Sequence, residues 1–276
     1  MRCRRRQLHT LHGDVFRIDD AWRDALSSIG ITEGIDWTRF EGDALVSTSL
    51  ATKCYRCDVA DRAPVFFKRY VYPRRFWLEF WMRPAKGAVE CWAYSRLHAL
   101  QIPSLEVIAF GERRRLGMLL ASGIVTAGVA DSMNLEAFVR DVWCHWPKQW
   151  RVRVAREIAE RLLSQLRVAH AGRFFHHDLK LRNLLINSEG DPASLVWIDA
   201  PRASRMRWRA RRGVVTDLSA LARIAINVFS RSELMRFLHM YLAGTGSAGE
   251  AKRLFREVGQ HLARRMPRPL DLSFPD

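Results

Sequence analysis

The stretch His176-His177-Asp178-Leu179-Lys180-Leu181-Arg182-Asn183 decides how the rest of the chain is read. It sets two imidazoles, a carboxylate, an ammonium, a guanidinium and an amide around two leucines. By itself it is a polar run that closes a loop. Upstream, Arg151–Ala171 spaces Val154, Ile158, Leu162 and Leu166 along one stripe of an amphipathic helix, with Gly172 placed as its C-cap. Downstream, Leu184–Asn187 and Leu195–Ile198 are short apolar runs flanking the turn-rich Ser188–Pro192 segment, and both are expected as strands. The second run leads into Asp199-Ala200-Pro201. A carboxylate at the end of an apolar run is costly to bury unless it meets a cation.

Farther out, the texture divides the chain. Residues 1–36 are expected as a leader with a short helix around Asp20–Ile29. From Thr38 to Tyr72, short runs rich in Val, Phe, Thr and Tyr predict antiparallel strands, ending in Val65-Phe66-Phe67-Lys68-Arg69-Tyr70. Lys86–Leu100 returns to helical spacing, and strand-like runs follow at Leu105–Phe110 and Leu116–Ala121. Beyond Gly128 the pattern is mainly helical: Asn134–Val142, the Arg151 helix, then Thr216–Phe229, Arg231–Leu242 and Glu250–Arg265. The expected boundaries are 37–122 for a β-rich N-terminal lobe with one helix and 123–276 for an α-rich C-terminal lobe, hinged near Ser122–Gly128. Gly244-Thr245-Gly246-Ser247-Ala248-Gly249 matches the phosphate-binding G-x-G-x-x-G by letter. A helix is expected before it rather than the strand that motif needs, so it is read as an inter-helix loop.

Composition bounds the function. The 276 residues carry 45 Lys+Arg against 29 Asp+Glu, a net charge of +16, with 48% hydrophobic residues. That content excludes intrinsic disorder and supplies a sizeable core. The longest uncharged apolar stretch, Leu116–Ala130, is too short and too broken by glycine to span a bilayer. The arginine-rich start has no apolar segment behind it and is not a secretory signal. The cysteines, Cys3, Cys54, Cys57, Cys91 and Cys144, are odd in number and scattered, which fits a reducing compartment. Cys54-Tyr55-Arg56-Cys57 lacks the second ligand pair of a zinc site and is read as two free thiols on a strand. Arginine is concentrated at Arg2–Arg6, around Lys68–Lys86 and at Arg202–Arg212. Such blocks favour polyanions or an anionic membrane face, or form a solvated basic surface.

His176–Asn183 resembles the protein-kinase catalytic loop H-R-D-L-K-x-x-N, with Asp178, Lys180 and Asn183 at matching positions. Phosphoryl transfer accounts for that spacing: a carboxylate accepts the acceptor hydroxyl's proton, a lysine neutralises the moving phosphoryl group, and an amide oxygen reaches magnesium. Other kinase-like parts follow in order. Asp199 stands where kinases carry the aspartate of D-F-G, Lys68 where they carry the strand lysine that touches the α/β-phosphates, and Glu90 on the next helix where it would pair with Lys68. Asp217 resembles the aspartate that accepts backbone N–H bonds from the catalytic loop. The fold class this implies is α+β, a protein-kinase-like two-lobe fold.

Three stretches resemble the lipopolysaccharide core kinases, the Kdo/heptose kinase family. They are Glu90–Pro103 with Val107–Glu112; Ile198-Asp199 followed by Pro201-Arg202-Ala203; and Arg207-Trp208-Arg209 leading to Asp217-Leu218. The resemblance covers roughly residues 40 to 230. It implies transfer of the ATP γ-phosphate to a sugar hydroxyl of a lipid-anchored core glycan. Asp178 would be the base with Lys180 beside it, Asn183 and Asp199 the magnesium ligands, and Lys68 and Glu90 the phosphate clamp. Backbone around Leu120 and Ser122 would meet the adenine. The expected partners are a glycolipid or other sugar acceptor and an anionic membrane surface, with nucleic acid disfavoured and the oligomeric state open. The expected location is cytoplasmic, peripheral on the inner face of the cytoplasmic membrane. Arg74, Arg75, Phe76, Trp77, Phe80, Trp81 and Arg83 mix bases with aromatics as a membrane surface requires, though the rings would equally pack under the small lobe. The sequence departs from ordinary protein kinases at His177, which replaces an arginine. It also lacks A-P-E after Asp199 and has only Gly42 before Ser47–Thr52, where phosphate cover is expected from Ser/Thr hydroxyls and backbone N–H groups. Two alternatives stand beside this reading: a phosphotransferase for protein or a small molecule, and a non-catalytic kinase-fold module binding anionic lipid or nucleic acid.

Overall fold

The computed structural model describes residues 7–206, 208–243 and 247–265. The arginines and Cys3 of the first six residues, Arg207, and Gly244–Gly246 of the G-x-G-x-x-G match lie outside the described residues. The described residues divide into two compact units. Within them one takes 7–99, 104–130 and 199–202, the other 100–103, 131–198 and the described residues from 203 to 265.

The first unit is built on a six-stranded antiparallel sheet of β1 (Gly13–Ile18), β2 (Ala44–Ser49), β3 (Thr52–Cys57), β4 (Val65–Val71), β5 (Val107–Arg115) and β6 (Met118–Ala127), in the order β1-β5-β6-β4-β3-β2. Two helices accompany it, the short α1 (Arg23–Ser28) and α2 (Lys86–Ala99). Alternation in β4 buries Val65 and Phe67 on one face of the sheet, and Tyr70 is buried on the other. One face closes on Trp37, Leu26, Ile31, Tyr55, Ile108 and Val125. The Trp37 ring is 1% exposed and keeps its indole N–H satisfied by donating to Asp14 Oδ1 at 2.9 Å. Helix α2 packs on β4, β5 and β6. Its small residues Gly87, Ala88 and Ala93 allow the close approach that buries Glu90 and Tyr94.

Two expectations change here. The segment taken as a leader supplies strand β1, which pairs with β5 from Gly13↔Arg114 to Ile18↔Ala109. As an edge strand that buries only Ile18, it leaves little apolar alternation to read. The hinge expected at Ser122–Gly128 is largely the body of β6. Its small residues answer to packing: a Cβ on Gly123 would come within 3.1 Å of Phe67 and Trp37, and Ser122 is fully buried. Gly42 serves packing as well, since a Cβ there would meet Cys57 Sγ at 2.5 Å. Cys54 and Cys57 both lie on β3, where a separation of three residues turns them to opposite faces of the sheet.

The second unit is mainly helical, with α3 (Leu135–Asp141), α4 (Lys148–Ala171), α5 (Ala210–Val228), α6 (Arg231–Tyr241) and α7 (Ala248–Arg265). Asn134 caps α3 by accepting from Ala137 N–H at 2.8 Å, and Ser230 with Glu233 forms a capping box on α6. The stripe of α4 is buried as its spacing predicts, through Val154, Ile158, Leu162 and Leu166. Gly172 ends α4, but Arg173 takes the left-handed conformation, φ +58°. The glycine is needed because a Cβ would meet Leu100 at 2.8 Å. A small sheet orders β7 (Ser132–Asn134), β9 (Leu184–Asn187) and β10 (Val196–Trp197) as β10-β9-β7, and β8 (Phe174–Phe175) pairs with β11 (Ser204–Arg205).

The Arg202–Arg212 block also changes character. Helix α5 starts inside it at Ala210, and Arg211 is committed to Glu257 and Glu250 of α7 at 2.8 and 3.4 Å. Gly249 lies in α7, while α6 ends at Tyr241, so helices flank the G-x-G-x-x-G match on both sides. Among the described residues no helix is long and apolar enough to cross a membrane.

Candidate active site

The predicted residues form two groups, one in each unit. The first is centred on Lys68, which β4 places opposite Cys54 of β3 and Ile124 of β6. Its ammonium donates to both Glu90 oxygens at 3.3 Å and to Asp199 Oδ1. Glu90, on α2, is 2% exposed. Tyr70 donates its hydroxyl to Glu90 Oε2 at 2.7 Å and Tyr94 donates to Oε1 at 2.8 Å. The Tyr94 oxygen in turn accepts the Asp199 backbone N–H at 3.0 Å. Every partner of this buried carboxylate is therefore a donor, which is what keeps it tolerable as an anion. Burial works against the Lys68 charge, and Glu90 and Asp199 together outweigh it, so the lysine pKa is raised. Burial first and the Glu90 charge second push both phenols well above their ordinary range, which keeps them as neutral donors. Cys54 sits beside this group, and burial raises its thiol to about 11.

The second group is the loop itself. Asp178 Oδ1 lies 2.7 Å from Lys180 Nζ, with both side chains partly exposed. The Asp178 carbonyl accepts from Lys180 N–H at 2.9 Å and from Asn183 Nδ2 at 2.8 Å. Asn183 closes a 3-10 turn over Leu181–Asn183, and its own carbonyl accepts the Ile198 N–H at 2.9 Å. The Nδ2 bond leaves Oδ1 as the acceptor of that side chain. Beneath the loop, Asp217 is fully buried in the interior of α5, about two turns past its start. Its carboxylate accepts His177 N–H at 2.6 Å and His176 N–H at 3.0 Å. His170 Nε2 approaches it at 3.3 Å, and His170 Nδ1 meets the Tyr241 hydroxyl at 2.8 Å. These anchors hold His177 in the left-handed region at φ +64°, a conformation that costs a non-glycine residue free energy. His177 then uses its ring against Ser204 Oγ at 2.6 Å. His176 is fully buried, edge-on to Trp197, with Nε2 3.0 Å from the Ile198 carbonyl.

Leu120 and Ser122 join neither set of side-chain hydrogen bonds. They lie inside β6, where Leu120 O accepts from Tyr72 N–H at 2.9 Å and Ser122 pairs with Tyr70 on one side and Glu112 on the other. A strand with neighbours on both sides has spent its backbone groups in the ladder, so the adenine contact expected there is withdrawn. Ser122 Oγ instead accepts the Gly87 N–H at the start of α2, at 3.4 Å. Tyr70 and Tyr94 escaped the sequence reading although simple periodicity carries them. Tyr94 is one helical turn after Glu90, and Tyr70 is two positions after Lys68 on the same strand face. Asp199 and Asn183 each carry an oxygen donor of the kind a hard cation such as magnesium accepts. Among the described residues no three His, Cys, Asp or Glu side chains gather into a metal cage.

Comparison with known proteins follows this geometry. The structure matches a solved structure described as WaaP in complex with acyl carrier protein, with a TM-score of 0.65 over 93% of this chain and 99% of that one, at 19% identity. That likeness shows the protein-kinase-like fold. In sequence the chain is 29% identical over 164 residues to the lipopolysaccharide core heptose(I) kinase WaaP of Pseudomonas aeruginosa, covering 57% of this chain and 60% of the relative. It is 26% identical over 166 residues to the Escherichia coli protein of the same name, covering 58% and 62%. The chain thus matches about three fifths of the length of these relatives. A family model described as lipopolysaccharide kinase (Kdo/WaaP) matches residues 77–241, a span that takes in Glu90, Asp178, Lys180, Asn183, Asp199 and Asp217. The chain belongs to the lipopolysaccharide kinase (Kdo/WaaP) family.

Proposed function

We propose that the protein transfers the γ-phosphate of ATP to a sugar hydroxyl of a lipopolysaccharide-core glycolipid, with an inner-core heptose as the acceptor suggested by the named relatives. The observation that carries the reading is the tethering of Lys68 to both Glu90 and Asp199, the clamp that phosphate binding requires. Lys68 holds the α- and β-phosphates, with Glu90 fixing the ammonium. Asp178 accepts the proton of the acceptor hydroxyl as its oxygen bonds to the γ-phosphorus and the bond to the β–γ bridging oxygen breaks, releasing ADP. Lys180, 2.7 Å from Asp178, neutralises charge on the phosphoryl oxygens. Asn183 and Asp199 are assigned to magnesium, which when bound neutralises the phosphate charge that develops on transfer. The adenine edge is assigned to the chain leaving β6 beyond Gly128, where the ladder no longer claims the backbone.

ATP places the reaction on the cytoplasmic side, and a lipid-anchored acceptor places the enzyme at the inner face of the cytoplasmic membrane. An acyl carrier protein, the companion of the solved neighbour, is the protein partner to test first. The decisive experiment is transfer of label from γ-labelled ATP with magnesium into an envelope extract, resolved into glycolipid, protein and small-molecule fractions, beside Asp199→Asn. Label in glycolipid that vanishes with the variant supports the assignment. Label in protein or a small molecule moves the acceptor. No transfer and no ATP binding would overturn the kinase reading in favour of a binding module.

A further inference from the structure

The turn Leu116-Gly117 between β5 and β6 is locked against the segment that joins β4 to α2. Gly117 adopts φ +80°, and a Cβ there would meet Trp81 Nε1 and Met82 Sδ at 2.9 Å. Met82 N–H donates to the Gly117 carbonyl and Trp81 Nε1–H to the Leu116 carbonyl, each at 3.2 Å. Arg114 joins the two loops from below. Its side chain is fully buried in an ion pair with Glu112 at 2.7 Å. The same guanidinium donates to the carbonyls of Gly117 at 2.9 Å, Phe80 at 3.4 Å and Arg83 at 2.5 Å. Residue by residue, this settles how the aromatics are used. Phe76, Trp77 and Phe80 are half-buried, Phe80 4.7 Å from the Tyr72 ring. On the outside, Leu78 is 89% exposed, Leu116 71%, Trp81 56% and Met82 48%. Arg74, Arg75, Arg83 and Arg115 are exposed around them.

We propose that this two-loop tip inserts Leu78, Trp81, Met82 and Leu116 into the headgroup–acyl boundary of an anionic bilayer, with the four arginines on lipid phosphates. Three features favour a bilayer over a protein partner. Side chains as exposed as Leu78 and Leu116 need a medium that closes around each of them, as fluid acyl chains do. The carbonyls of Phe80, Arg83, Leu116 and Gly117 and the Trp81 indole N–H are already hydrogen-bonded internally, so these groups enter the interface without being orphaned. A ring of arginine beside Trp, Leu and Met is the composition that binds anionic interfaces by apolar burial and charge together. The proposal deepens the glycolipid-kinase reading, which gives the tip its purpose: an acceptor anchored in a membrane must be met there.

The test is flotation of the full chain with phosphatidylglycerol–phosphatidylcholine vesicles and with phosphatidylcholine alone, run in parallel with phosphate transfer to a water-soluble, delipidated core oligosaccharide. Wild type should float with the anionic vesicles only. A Leu78→Ser/Leu116→Ser double variant, which removes two exposed apolar chains and no internal bond, should partition on the order of 100-fold less. Its soluble transfer rate and melting temperature should match wild type. Arg74→Gln/Arg75→Gln should weaken binding and flatten its salt dependence. Wild type that stays unbound to anionic vesicles, or a double variant that floats like wild type, overturns the tip. Absence of soluble transfer with normal flotation overturns the kinase reading and leaves the tip standing.

Discussion

The two groups of functional residues are fixed by different physics. In the unit that carries Lys68, side chains hold side chains: Glu90 takes two phenols and an ammonium, and Tyr94 passes on to the Asp199 N–H. In the unit that carries Asp178, the backbone is held from below by Asp217, and the Asp178 carboxylate is paired with Lys180 at 2.7 Å. The first arrangement makes charge placement and local stability one property, since each tether is also a buried hydrogen bond. The second separates them, with the proposed chemistry on a partly exposed side chain and the anchoring hydrogen bonds on a buried one.

The sharpest way to break that separation is to take the two aspartates of the second group apart. Asp178→Asn removes the proposed proton acceptor and keeps shape and polarity, so transfer should fall by about 10³-fold with the melting temperature unchanged. Single-turnover phosphate transfer and a thermal melt on the same sample decide it. Asp217→Ala should do the reverse in emphasis. It orphans the His176 and His177 N–H groups and the His170 ring in a fully buried place, a cost of about 4 kcal/mol, with Tm lower by roughly 10 °C. An Asp217→Ala protein that melts like wild type would show that the loop holds itself.

The same contrast explains what the sequence made legible. The α+β kinase-like class and the Asp217 anchor come from the resemblance of ordered motifs to kinases, and the β9 strand at Leu184–Asn187 follows from its short apolar run. Lys68 and Glu90 were readable as a pair because they stand where the kinase resemblance places a strand lysine and a glutamate on the helix after it. The reading failed where a residue's role is set by a distant neighbour. Ser122 and Gly123 look like hinge residues until distant neighbours demand small groups there, Gly87 of α2 against Ser122 and the Trp37 ring against Gly123. Leu120 and Ser122 lost the adenine for the same reason, since their ladder partners were invisible. Arg211 read as polyanion surface until α7 supplied Glu250 and Glu257. Strand β1 escaped because an edge strand with one buried residue carries almost no pattern.

A thiol reports on the first group without perturbing it. Burial lifts Cys54 from its ordinary value of 9.0 to about 11 beside Lys68. At pH 8 its thiolate fraction, and so its alkylation by iodoacetamide, should be about 100-fold below that of a thiol at the ordinary value. The rate should climb as pH rises through 9 to 11, because the raised pKa postpones ionisation. Rapid labelling of Cys54 at pH 8, read by peptide mass spectrometry, would mean that water reaches the Lys68 side of β3 freely.

The finest test of the side-chain tethers is Tyr94→Phe. The ring stays in place, but Glu90 Oε1 loses a donor and the Asp199 N–H loses its acceptor. Tyr70 still donates to Oε2 and Lys68 still bridges Glu90 and Asp199, so the clamp persists with one leg removed. The expected stability loss is about 1–2 kcal/mol. If Tyr94 positions Asp199 as well as supporting the fold, KM for ATP should rise about fivefold while kcat changes little, the pattern of lost ground-state binding. A fall in Tm with KM unchanged would make Tyr94 a packing residue and leave the placement of Asp199 to Lys68.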